Sequence, residues 1–157
     1  MDQPFELSGS DAVSLLGQAR SLLGGQRDLV ANAANLSALL YQSLEDVNWV
    51  GFYFLKAGEL VVGPFQGKPA CVRIPLGQGV CGTAAATRRV QRVADVDRFA
   101  GHIACDGDSR SEIVVPLIED GVLRGVLDVD SPVRDRFSEE DEAGIVRLAE
   151  IYLDSIS

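Results

Sequence analysis

No stretch of this 157-residue chain approaches the ~18 consecutive apolar residues that cross a bilayer. Met1-Asp2-Gln3-Pro4 carries neither the basic nor the apolar part of a secretion signal. Positive charge is scarce: 14 Lys and Arg against 23 Asp and Glu leave a net charge of −9 and a pI near 4.5. Such a surface repels phosphate backbones and anionic lipid, which argues against nucleic-acid and membrane-surface roles. Histidine occurs once and cysteine only three times. An odd cysteine count without a secretion signal is no structural disulfide framework. The expectation is a cytoplasmic protein whose thiols are core residues, metal ligands or redox groups. The length fits one domain over residues 1–157, and an apolar content of 46% is enough to build its core.

Periodicity organises the two ends. Val13, Leu16, Ala19 and Leu23 share one face of a helix over 12–23, and Leu29, Ala33, Leu36 and Leu40 share one face of a second over 28–44. Gly24-Gly25 ends the first, and Asp28 caps the second. A last helix starts at Ser138, where Asp141 completes a capping-box pattern, and runs to about Leu153, burying Ile145, Leu148, Ala149 and Tyr152. Between these, 48–55 is aromatic and β-branched and turns at Ala57-Gly58 into a partner strand over 59–63. Short strands are predicted at 72–75 and 90–93 and a short helix at 79–87. Two final strands at 113–118 and 123–129 are joined through Glu119-Asp120-Gly121. Helices at both ends around hairpin-connected strands predict an α+β domain on an antiparallel sheet. The Gly/Pro-rich stretch 63–108 holds all three cysteines and the histidine, and long loops over a rigid sheet are where sites usually sit.

Several residues there offer chemistry. Asp128 and Asp130 lie two apart in an apolar strand, so alternation puts both on one face with Leu127 and Val129 on the other. They are either solvated carboxylates at a strand end or a crowded pair joined by Glu112 from the neighbouring strand, where one group is forced to hold a proton. Cys71, Cys81 and Cys105 are spaced unlike the CxxC pairs of zinc or thioredoxin-like sites. Adding His102 does not produce a standard ligand pattern, so no metal is expected. Cys81 sits in an Ala-rich helical segment and fits a core position. Cys71 and Cys105 sit in loop sequence, where two thiols able to meet would form a nucleophile and resolving pair. Trp49 and Tyr53 share one row of their strand, either as core aromatics or as a wall for a small ligand carrying a methyl or cationic group.

Six segments occur in order: Asn48-Trp-Val-Gly-Phe-Tyr53, Gly63-Pro-Phe-Gln-Gly-Lys-Pro-Ala-Cys-Val-Arg-Ile-Pro75, Gly79-Val-Cys-Gly-Thr83, Gly101-His-Ile-Ala-Cys-Asp106, Ser111-Glu-Ile-Val-Val-Pro116 and Gly125-Val-Leu-Asp-Val-Asp-Ser-Pro132. Together they resemble the free methionine-(R)-sulfoxide reductases, stand-alone GAF-domain enzymes, over nearly the whole chain. The resemblance implies a six-stranded antiparallel sheet with the terminal helices on one face and a loop-covered ligand pocket on the other. It also implies that Cys105 is the catalytic cysteine, Cys71 the principal resolving cysteine and Cys81 a secondary third. By the same resemblance Trp49, Tyr53, Glu112, Asp128 and Asp130 form the substrate pocket. The reaction so implied is thiol-dependent reduction of free methionine-(R)-sulfoxide through a Cys105 sulfenic acid and a Cys71–Cys105 disulfide. No cofactor is needed, and thioredoxin is the partner that supplies electrons. A homodimer is compatible with this reading. Two rivals stand beside it: a GAF sensory module that binds a small ligand without catalysis, and a zinc site drawn from the cysteines and His102.

Overall fold

Apolar residues recurring every three or four positions wind the first two helices of the computed structural model, which describes residues 9–102, 105 and 107–157, with side chains from residue 14 onward. Helix α1 is Gly9–Leu23 and α2 is Leu29–Ser43. The Val13 side chain lies outside the described ones, while Ala19, Leu23, Ala33, Leu36 and Leu40 are buried as the pattern requires. Asp28 caps α2 by accepting the Ala31 N–H at 2.8 Å.

Strands β1 (Trp49–Lys56) and β2 (Glu59–Gly67) pair through a two-residue turn with both Ala57 and Gly58 at positive φ, the twist-matched hairpin geometry. Strand β2 runs four residues past Gly63. Pro64 reads as a terminator because it has no N–H, but the register slips opposite Phe52, and this bulge absorbs the proline while Phe65 and Gln66 keep pairing with Gly51 and Val50. Strand β3 is Arg73–Pro75, helix α3 Gly79–Thr87 and strand β4 Gln91–Val93. Strands β5 (Ser111–Glu119) and β6 (Val122–Ser131) form the second hairpin around Asp120-Gly121, again with both residues at positive φ. Helix α4, Glu139–Ile156, opens on the expected capping box: Ser138 Oγ accepts the Asp141 N–H at 3.1 Å, and Asp141 Oδ2 accepts the Ser138 N–H at 2.9 Å.

The six strands form one antiparallel sheet in the order β3-β2-β1-β6-β5-β4. Alternation then divides every central strand between two faces. Val50, Phe52 and Phe54 of β1, Ile113, Val115 and Leu117 of β5, and Leu127 and Val129 of β6 pack against α1, α2 and α4 in the main core. Each such side chain contributes roughly 1.5–3 kcal/mol by leaving water. Tyr152 closes this layer; its ring lies 4.6 Å from Phe52, and its hydroxyl donates to the Leu29 carbonyl at 2.9 Å. The opposite face carries α3 and the connecting loops over Trp49, Tyr53, Val114 and Val126. Among the described residues no helix is long and apolar enough to cross a membrane.

Candidate active site

The second face holds a recess whose floor is set by strand register. Glu112 of β5 pairs with Asp130 of β6, and Asp130 pairs in turn with Trp49 of β1, so these three stand in one row across adjacent strands. Asp128 lies two residues along β6 on the same face, opposite Gly51. All four line the recess together with Tyr53, Cys81, Cys105, His102 and Ser109. Two of the carboxylates are not solvated, Asp128 being 4% exposed and Glu112 8%, while Asp130 at the strand end is half-buried.

Crowding acids in this way costs energy that one proton relieves. Burial, then the charges of Asp130 and Glu112, push the Asp128 carboxyl well above the usual carboxylate range. The closeness of the Glu112 and Asp130 carboxyl groups adds to that upward shift. Cys81 comes down from α3 with its Sγ 3.3 Å from Asp128 Oδ2 and 3.8 Å from Glu112 Oε2. It is therefore both a core thiol, 4% exposed, and part of the floor. Burial and the same negative groups push the Cys81 thiol up, so it is a donor here and a poor nucleophile.

Trp49 forms one wall, and two glycines make room for its indole. A Cβ on Gly51 would lie 2.6 Å from the ring, and one on Gly67 2.7 Å from it. The ring stacks on Phe65 at 5.2 Å and faces Tyr53 at 5.8 Å. Both aromatics end in hydrogen bonds to the loop after β2. Trp49 Nε1–H donates to the Lys68 carbonyl at 3.1 Å, and the Tyr53 hydroxyl donates to the Cys71 carbonyl at 3.1 Å. Burial, then Asp128 and Cys81, push the Tyr53 phenol up, so it stays protonated as that donor.

At the mouth, Cys71 and Cys105 are joined as a disulfide with their Cα atoms 5.4 Å apart. Both are half-buried, and Lys68 and Asp108, three residues from either sulfur, form an ion pair across the two loops. The structure thus brings together every residue singled out for the site: Cys71, Cys81, Cys105, Trp49, Tyr53, Glu112, Asp128 and Asp130. It does not assemble the cysteines with His102 into one ligand set, because two of the thiols are bonded to each other and the third faces the carboxylates. Ser109 was not anticipated. It is buried beside the recess and accepts from Asn48 Nδ2 at 3.2 Å, yet in sequence it is one more polar residue in a loop.

Comparison with known proteins fits this geometry. The family model described as "GAF domain" matches residues 9–152. The chain is 57% identical over 128 residues to the free methionine-R-sulfoxide reductase of Escherichia coli, covering 82% of this chain and 78% of that protein. The Staphylococcus aureus fRMsr structure in complex with substrate superposes with a TM-score of 0.91 at 46% identity, covering 100% of this chain and 99% of the other. The Neisseria meningitidis free methionine-R-sulfoxide reductase in complex with its substrate gives a TM-score of 0.91 at 43% identity, covering 99% and 96%. With sheet, recess and paired cysteines all in place, the chain belongs to the GAF-domain family and, within it, to the free methionine-R-sulfoxide reductases.

Proposed function

We propose that the protein reduces free methionine-(R)-sulfoxide to methionine in this recess. The observation that carries the reading is the Cys71–Cys105 disulfide, formed by two loop cysteines at the mouth of a pocket floored by buried carboxyl groups. A sulfoxide sulfur becomes electrophilic when its oxygen is protonated, so the chemistry needs a thiolate and an acid on opposite sides of one small ligand. In this reading Asp128, whose carboxyl holds a proton more readily than an ordinary aspartate, supplies the acid.

The Cys105 thiolate attacks the sulfoxide sulfur while the sulfoxide oxygen takes up a proton. The oxygen passes to Cys105, methionine leaves as the thioether, and Cys105 remains as a sulfenic acid. The Cys71 thiolate then attacks Cys105 Sγ, water departs, and the disulfide forms. An external dithiol, for which thioredoxin is the proposed partner, returns two electrons and two protons. No resident cofactor enters these steps, and a reducing compartment such as the cytoplasm suits them.

Selectivity for the free amino acid rests on the floor. Glu112, Asp128 and Asp130 concentrate negative charge, and the substrate ammonium is the cation that offsets it, leaving the S-methyl group to lie against Trp49. The preference for the (R) epimer rests on the names of the relatives. The test is NADPH oxidation through thioredoxin and its reductase, with free (R)- and (S)-methionine sulfoxide offered separately. Turnover of the (R) epimer alone is expected, and no turnover of either epimer overturns the reading in favour of a ligand-binding GAF module.

A further inference from the structure

We infer that the edge of the sheet beside the disulfide is the docking surface for the protein dithiol that reduces it, and that this dithiol attacks Cys71 rather than Cys105. The partner's class rests on the reading above; the surface rests on the strand edge itself. Electrons for the Cys71–Cys105 bond come from outside the chain. Cys81 is the one cysteine beyond that disulfide, and exchange with it would move the disulfide without reducing it.

Strand β3 opens two residues after Cys71 and is the last strand on its side of the sheet. Val72 extends its ladder, because the Val62 N–H donates to the Val72 carbonyl at 2.9 Å. Bonded and non-bonded pairs alternate in an antiparallel ladder. Val72 and Ile74 therefore turn their main chain toward β2, and Arg73 turns its N–H and carbonyl outward. Pro75 has no N–H, and its carbonyl already accepts the Gln78 N–H at 3.2 Å. Arg73 is thus the one residue of β3 that offers an outward donor and acceptor together, a place for one residue of an incoming chain.

The flanks of that place are apolar and in water. Val72 is 59% exposed and Leu76 39%. Arg73 and Pro75 are exposed too, and only Ile74 is buried between Val72 and Gln78. Alternation puts Val72 on the face of Ile74, the face that carries the recess and its disulfide. A small thiol gains little from a strand edge and two exposed apolar side chains. A protein gains hydrogen bonds from the first and buried area from the second.

The two sulfurs differ as seen from this edge, since Cys105 lines the recess and Cys71 does not. A thiolate arriving along β3 meets Cys71 without entering the space that substrate needs. It attacks Cys71 Sγ, the Cys71–Cys105 bond breaks, and the electron pair leaves on Cys105 Sγ. The partner's second thiolate then attacks its own sulfur in the mixed disulfide. Cys71 leaves as a thiolate, and the partner departs as a disulfide, having given up two electrons.

The experiment starts from the disulfide-linked protein without substrate, with reduced thioredoxin as the probe and dithiothreitol as the small-dithiol control. Val72→Glu with Leu76→Glu, and separately Arg73→Pro, should each lower the second-order rate constant for thioredoxin at least about tenfold. Reduction by dithiothreitol should stay at the wild-type rate. Arg73→Ala keeps the main-chain groups and should react with thioredoxin nearly as the wild type does. Thioredoxin whose second cysteine is replaced by serine should be trapped on Cys71, leaving Cys105 open to alkylation. Wild-type thioredoxin rates in both surface variants, equal losses with dithiothreitol, a loss in Arg73→Ala as large as in Arg73→Pro, or trapping on Cys105 would overturn the inference. Methionine formation is measured separately with dithiothreitol as reductant. Methionine formed there while thioredoxin ignores the surface variants sinks the docking surface and leaves the reductase reading standing. Variant-sensitive reduction by thioredoxin without methionine formation does the reverse.

Discussion

The Tyr53 hydroxyl donates to the backbone carbonyl of Cys71 across 3.1 Å, so a wall of the recess also holds the loop that carries one of the two disulfide-bonded sulfurs. Trp49, four residues earlier on β1, holds the other end of that loop through Lys68. The side chains that contact substrate in the proposed reaction are thereby mechanically joined to the side chain that must arrive after substrate has left.

This coupling predicts the behaviour of Tyr53→Phe. The ring remains, the loop anchor is lost, and disulfide formation should slow more than methionine release does. In a single turnover with dimedone present, the sulfenic acid adduct on Cys105 should rise several-fold over the wild type. An unchanged ratio of adduct to disulfide would remove Tyr53 from the resolving step.

The two cysteines should separate by turnover number. Cys105→Ser is expected to abolish methionine formation. Cys71→Ser should release about one methionine per chain and then stop, its Cys105 oxidised. Rapid-quench measurement of methionine with stoichiometric enzyme decides this, and equal yields from Cys105→Ser and wild type refute the assignment.

Removing the substrate's positive charge should be costly. N-acetyl methionine sulfoxide leaves the carboxyl cluster without its cation, a loss of roughly several kcal/mol, which at ~1.4 kcal/mol per tenfold lowers kcat/KM by at least about a hundredfold. Comparable efficiencies for the free and acetylated compounds in the coupled assay would show that Glu112, Asp128 and Asp130 are not the filter.

Stability should move the opposite way to activity in Asp128→Asn. The Asp128 carboxyl is raised in the folded state, chiefly by burial and next by Asp130 and Glu112. A raised group stabilises the fold fully below its unfolded pKa of about 3.9 and loses that contribution as pH climbs through the folded value. The wild type therefore carries a penalty at neutral pH that the amide lacks. Thermal melts should show the variant gaining on the wild type between pH 4 and pH 7 while its kcat/KM falls. A variant advantage that shrinks with rising pH would contradict the sign.

Much of this was legible in the chain. The periods of α1, α2 and α4, the Ser138–Asp141 cap and both two-residue hairpins follow from local rules that tertiary structure leaves alone. The same-face placement of Asp128 and Asp130 follows from the two-residue period of a strand. What escaped needed partners distant in sequence. Strand β2 outran its apparent end because a bulge at Pro64 is settled by the register of β1. The contact of Cys81 with Asp128 depends on where α3 lies over the sheet. Tyr53 read as an aromatic wall, and nothing near it in sequence showed that its hydroxyl would find the Cys71 carbonyl.

The disulfide at the mouth ties together positions 34 residues apart. A cross-link of that span removes denatured-chain entropy worth about 3–4 kcal/mol, against a typical total of about 5–15 kcal/mol for a domain. In the proposed reaction each cycle moves the protein between a sturdier oxidised form and a more fragile reduced one. On that reading, a shortage of electrons would gather the enzyme in the form that best survives heat and proteolysis, idle but preserved until reductant returns.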